Sequence, residues 1–184
     1  MTRILALDLG TACGWALSGY EPTDFPEIEA FRPSYGTFDL RAGRFSGGGM
    51  RFVRFEQELN NFVGLIDQVV FEEVRRHRGT DAAHVYGGLL AVLTAWCEKN
   101  QIPYEGVPVQ KIKAFATGKG NADKETVIKA VKGRGYSPTD DNQADAIALL
   151  LLRLSEIAPR DNLVPVPESR REVAAGARVR AARR

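Results

Sequence analysis

Residues 137–154, SPTDDNQADAIALLLLRL, restrict the fold more than any other part of the sequence. The apolar run at their end reads as a buried helix, yet Asp145 lies inside its register. A lone carboxylate against such a face costs several kcal/mol unless it is paired or bound to a metal. The helix must therefore pack where other charged groups meet it. Ser137 followed by Pro138 predicts an N-cap and a first helical residue, giving a closing helix over 138–157. Asp141 and Asp145 then fall one turn apart on the same face, and Asp140 reads as a cap or a surface charge.

A chain of 184 residues with 44% hydrophobic content suits one well-packed domain and is short for two. The expected division is one domain over 1–158 and a basic tail over 159–184. No apolar segment approaches the roughly 20 uncharged residues of a membrane span, and the N-terminus enters a strand pattern directly. A soluble, cytoplasmic protein with no membrane partner is expected. Cys13 and Cys97 lie far apart in apolar surroundings without metal-ligand spacing, so neither a disulfide nor zinc is indicated. Net charge is only +2, but basic residues cluster in VRRHR at 74–78, in 119–134 and in the tail.

The apolar runs predict strands over 3–10, 13–20 and 35–41, with a Pro-rich insertion at 21–34. A Gly-rich loop follows, then Phe52, Phe55, Leu59, Phe62 and Val63 at helical spacing. QVVFEEV over 68–74 is a strand, and 80–100 a long helix with Thr80 as N-cap. PYEGVPV is a last strand, VQKIKAFAT a short helix, and NADKETVIKAVKGRG a helix capped by Asn121 and stopped by Gly133. This order predicts an α/β domain with a mixed sheet. Gly87 and Gly88 inside the long helix each cost about 1 kcal/mol relative to alanine, which predicts a close contact there.

On this map Asp8 ends the first strand, Glu72 lies near the end of the fourth, and Asp145 is on the closing helix. Acids brought together repel one another unless cations neutralise them, so their convergence points to a hard divalent metal. Two such ions suit phosphodiester hydrolysis. Taken singly, each acid is as readily structural, entering a loop or complementing a helix dipole.

The succession LALDLGTACGWAL, VVFEEV, VQKIKAFATGKGNADK and NQADAIALL resembles the RuvC-type Holliday-junction resolvases and their phage-borne relatives, from about Ile4 to Leu154. The resemblance implies an RNase H-like fold with a mixed five-stranded sheet, a homodimer, and cleavage of branched DNA by paired nicks in a bacterial or phage-infected cell. It also implies Mg2+, with Mn2+ as an alternative and two ions per site, held by Asp8, Glu72 and acids of the last helix. Gly118, Gly120, Ala122 and Lys124 match a segment whose lysine lies near the scissile phosphate, and Lys113 matches a basic residue upstream. Lys119, Arg75, Arg76 and Arg78 are further candidates for DNA contact, since clustered cations suit a phosphate backbone. The chain departs from the family pattern three residues before Asp145, where Asn142 stands in place of an acid. Asp141 is the expected replacement, and the amide oxygen of Asn142 is a neutral option. The family's aromatic after the fourth-strand glutamate is also replaced, by Arg75 or its neighbours. Other readings are a nuclease for forks or flaps, and an actin-like or kinase-like phosphate binder built on DLGTACG, whose usual second domain has no room here.

Overall fold

The computed structural model describes residues 2–19, 33–75 and 79–157. Most of the Pro-rich insertion, residues 76–78 and the basic tail lie outside them. Met1–Arg153 forms one compact unit; of a second, Leu154–Arg184, only 154–157 are described.

Five strands make one mixed sheet: β1 (Ile4–Asp8), β2 (Ala12–Leu17), β3 (Ser34–Asp39), β4 (Gln68–Glu73) and β5 (Tyr104–Pro108), in the order β3-β2-β1-β4-β5. β1 pairs antiparallel with β2 and parallel with β4, while β4 pairs parallel with β5. Ile4 through Leu7 are fully buried, as expected for a central strand covered on both faces. Side chains alternate along each strand. Leu5 and Leu7 of β1 and Val69 and Phe71 of β4 therefore share one face and join a core with Phe55, Leu59, Leu89, Leu93 and Trp96. These last come from helices α1 (Met50–Asn60) and α2 (Thr80–Asn100). Ile4, Ala6 and Val70 are buried on the opposite face. Helices α3 (Val109–Thr117), α4 (Lys124–Gly133) and α5 (Asp141–Ile157) complete the order.

The strands follow expectation with ends displaced by up to three residues, and the helices differ at their caps. Thr80 is the first residue of α2, behind an extended Gly79 with no side-chain cap. Asp123, not Asn121, caps α4, accepting from the Thr126 N–H at 2.8 Å. A carboxylate placed three residues before a free amide competes better than an amide side chain two residues farther out. Helix α5 begins at Asp141 rather than Pro138. Asp140 accepts from the Gln143 N–H at 2.8 Å while Gln143 Oε1 accepts from the Thr139 N–H at 3.1 Å. That reciprocal pair fixes the start one turn later than Pro138 suggests. Asp140 also accepts from the Thr37 hydroxyl at 2.8 Å, which ties the cap to edge strand β3. The expected close contact in α2 lies at Gly88 alone, where a β-carbon would stand 2.5 Å from the Phe52 ring of α1; at Gly87 the space is open. Among the described residues no helix is long and apolar enough to cross a membrane.

Candidate active site

The register of the sheet brings the first two acids together. Leu7 pairs with Phe71, so the next residues along the parallel strands, Asp8 and Glu72, end side by side. Alternation turns both away from the α1/α2 core and toward the face of Ile4, Ala6 and Val70. Helix α5 meets that face. Gly14, partner of Asp8 across the β1–β2 pair, is buried, and a β-carbon there would stand 2.0 Å from the carbonyl oxygen of Asn142. Only glycine lets the first turn of α5 come down onto the end of β1.

Asn142 is thereby set against Asp8. Its amide faces two acceptors, so the nitrogen is turned inward and donates to Asp8 Oδ2 and to the Ala12 carbonyl, each at 3.3 Å. Asp145 follows on α5, partly buried like Asp8 and Glu72. Burial pushes the Asp8 carboxyl well up, and Glu72, Asp145 and Asp141 push it further. Burial and then Asp145 raise Glu72 to about 7, against Lys113 and Lys124. Asp145 is raised to about 6 by burial, which Lys113 opposes and Asp141 reinforces. Three acids thus resist ionising together, as carboxylates sharing one low-dielectric site do.

The cations sit at the rim. Lys124, at the start of α4, forms an ion pair with Asp141, which lowers that carboxyl and raises the lysine. Lys113 of α3 is half-buried and donates to the Ala122 carbonyl at 2.8 Å, clasping the segment that leads to Lys124. Gly120 in that segment packs closely, a β-carbon there lying a tight 3.1 Å from the Gln110 carbonyl oxygen. Lys119 is exposed, and its backbone bonds with the Thr117 hydroxyl and the Ala122 N–H. Arg75 is exposed and paired with Glu73 at 3.2 Å, so Glu73 serves that arginine and not the acid cluster. Arg76 and Arg78 lie outside the described residues.

Among the described residues no three His, Cys, Asp or Glu side chains form a ready-made metal cage. The structure shows instead acids acting on one another through a shared field, with an amide on the most buried of them. Sequence reasoning missed two parts of this arrangement. Neither Gly14 nor Tyr86 is singled out by the sequence, because the partner of each lies elsewhere in the chain. Tyr86 donates its hydroxyl to the Glu72 carbonyl at 3.0 Å and accepts from the Val74 N–H at 3.2 Å, bracing the end of β4.

The raised acids carry a pH dependence opposite to that of a salt-bridged carboxylate. Between about pH 4 and 7 the folded chain keeps protons on Glu72 and Asp145 that the unfolded chain has already released, so stability falls as pH rises. Asp39 and Asp67, lowered to about 2 by Arg41 and Arg3, act with the other sign, but only below about pH 4. The metal-free protein is expected to lose on the order of 1–3 kcal/mol between pH 5 and pH 8. Thermal melts in chelator would measure it. A melting temperature that is flat across this range, or equally steep in Glu72→Gln, contradicts the assignment.

No family model matches the chain. The crossover junction endodeoxyribonuclease RuvC of Caldicellulosiruptor saccharolyticus is 29% identical over 159 residues, covering 83% of this chain and 92% of that protein. A structure of Thermus thermophilus RuvC in complex with a Holliday junction substrate aligns with a TM-score of 0.67 at 19% identity, over 83% of this chain and 92% of its own. Another T. thermophilus RuvC structure gives 0.65 at 20% identity, over 84% and 96%. The yeast mitochondrial Holliday junction resolvase gives 0.52 at 12% identity, over 80% and 75%. The resemblance read from the sequence is borne out, and the mixed sheet with its helices is the RNase H-like fold expected. The chain is thus similar to RuvC in sequence and shares its fold.

Proposed function

We propose that the protein is a metal-dependent endonuclease that resolves four-way DNA junctions by paired symmetric nicks. The observation that carries this reading is the meeting of Asp8, Glu72 and Asp145 at one rim of the sheet, where burial and mutual repulsion hold their carboxyls above the usual carboxylate range, a set of acids that a divalent cation would neutralise. The donor set is oxygen-only and anionic, which fits Mg2+ or Mn2+ and not a soft metal. A divalent ion bound there would supply the Lewis acidity that polarises a phosphodiester and lowers the pKa of an attacking water.

The chain's own residues divide the remaining work. Asp8, Glu72 and Asp145 would hold the ion directly. Asp141 replaces the acid missing at position 142, from the rim, where Lys124 partners it. Asn142 orients Asp8 through its amide. Lys124, whose side chain is 73% exposed, is placed to exchange Asp141 for a substrate phosphate. Lys113 holds the Lys119–Lys124 segment in position, and Lys119, Arg75, Arg76 and Arg78 are the cations proposed for the DNA backbone. Paired nicks require two such sites, hence a two-fold homodimer.

Incubating the protein with labelled four-way, forked and linear duplex DNA, with and without Mg2+, tests the proposal. Paired nicks confined to the four-way substrate and dependent on the metal are expected; equal cutting of linear duplex, or no cutting of any DNA, overturns it. Lys124→Ala is expected to slow cleavage and to reduce the slope of log binding constant against log salt by about 0.9, the loss of one phosphate contact. Lys113→Ala should change the slope less, because its amine is spent on the Ala122 carbonyl. An unchanged rate and slope in Lys124→Ala would leave that lysine as the start of a helix and nothing more.

A further inference from the structure

We infer that Thr37, on edge strand β3, is a positioning residue for the acid cluster, setting where the first turn of α5 presents Asn142 and Asp145 to Asp8. The inference rests on the nuclease reading and deepens it. Thr37 stands opposite Gly14 in the β2–β3 pair, and Gly14 opposite Asp8 in the β1–β2 pair, so the three occupy one row across the sheet. Residues in such a row present their side chains to the same face. The start of α5 touches that row at each place in turn. Asp140, just before the helix, is bonded to Thr37; the Asn142 carbonyl lies over Gly14; the Asn142 amide reaches Asp8. The glycine lets the helix sit low on the sheet. It cannot hold the helix at one place along the row, because it has no side chain to grip with.

The Thr37 hydroxyl supplies that grip. It donates to Asp140 Oδ2 at 2.8 Å and accepts from Gln143 Nε2 at 3.2 Å. A carboxylate only accepts and an amide nitrogen only donates, so the direction of both bonds is fixed. Asp140 Oδ1 in turn accepts from the Gln143 N–H, and Gln143 Oε1 from the Thr139 N–H, which closes a circuit joining the sheet to the helix cap. Two residues earlier on the same face, the Tyr35 hydroxyl accepts from the Ser137 N–H at 3.1 Å, and its ring meets Tyr136 edge-on at 6.4 Å. Strand β3 therefore holds the chain entering α5 at two points. Asp145 lies five residues beyond Asp140, about 7.5 Å farther along the helix axis, so a shift at the cap carries it as a rigid arm. Misplacing a reacting group by about 1 Å costs up to 10²-fold in rate.

The test compares Thr37→Val, which keeps the branched shape and removes the hydroxyl, with Thr37→Ser, which keeps the hydroxyl. Three quantities are read on the full chain: Mn2+ affinity without DNA by titration calorimetry, junction affinity in chelator by fluorescence anisotropy, and single-turnover cleavage in saturating Mg2+. Thr37→Val is expected to weaken Mn2+ binding by about 10-fold, as loss of an outer partner of a metal site does, and to slow cleavage by a similar factor. Its junction affinity should stay as in wild type, because the basic rim is untouched. Thr37→Ser should match wild type in all three. Gln143→Met breaks the circuit from the helix side and should give the Thr37→Val pattern even where that variant folds poorly. The double variant should lose no more than the poorer single one, as members of one network do. Wild-type metal affinity and rate in Thr37→Val overturn the inference. So do a Thr37→Ser that fails in the same way, which would make packing the cause, and single losses that multiply in the double variant. A wild type that takes up Mn2+ but cuts no DNA loses the nuclease reading and leaves Thr37 to be judged on the metal affinities; one that takes up no Mn2+ overturns both.

Discussion

Asp8→Asn is expected to reduce junction cleavage by roughly 10³-fold or more, equivalent to about 4 kcal/mol of barrier, with junction binding within about twofold of wild type. The side chain stays isosteric and keeps its place against the Asn142 amide, so the basic rim is undisturbed. What is lost is the anionic oxygen at the point where Glu72 and Asp145 also act. The same substitution relieves repulsion, so the metal-free variant should melt higher than wild type at pH 8, a gain that a merely inert surface acid would not give. Cleavage at the wild-type rate would remove Asp8 from the metal site. Lower stability at pH 8 would show that it serves the fold instead.

Gly14→Ala should be nearly as severe for a different reason. Its new methyl would lie 2.0 Å from the Asn142 carbonyl oxygen, which is backbone and cannot rotate aside. Either α5 lifts from the sheet or β2 shifts against β1, and each costs about 1–3 kcal/mol or more of stability. Asn142 and Asp145 move with the helix, so cleavage should fall at least 10²-fold even where the protein remains folded. Denaturant melts and single-turnover cleavage, measured together, check this. A variant that folds and cuts like wild type would show that the start of α5 has slack the contact denies.

The strands and the acids at their ends were legible because burial dictates their composition. Apolar runs such as ILAL and VVF have few other places to go, and a carboxylate interrupting one is conspicuous. Helix starts were less legible. Pro138 carries the backbone angle of a first helical residue, and nothing local reveals that Thr37, far away in the chain, bonds Asp140 and favours the later start. Gly14 and Tyr86 were illegible for a related reason, since the partners that give them meaning, Asn142 and the Glu72 carbonyl, come from other parts of the sequence. Gly88 announced a close contact without naming Phe52 as its cause. The basic residues showed charge but not role, because whether a lysine is free for phosphate depends on what already holds it, as Asp141 and the Ala122 carbonyl do here.

The seating of α5 on Gly14 also bears on when the site comes into being. Asp8 and Glu72 leave the ribosome well before Asn142 and Asp145, and the two groups meet only when the late helix docks against an early strand. A nascent or truncated chain that ends before α5 holds two acids, an open sheet face and no clamp on Asp8. Because the domain folds as a unit, cutting power arrives with the last helix and not gradually. An unfinished polypeptide therefore carries an incomplete acid cluster.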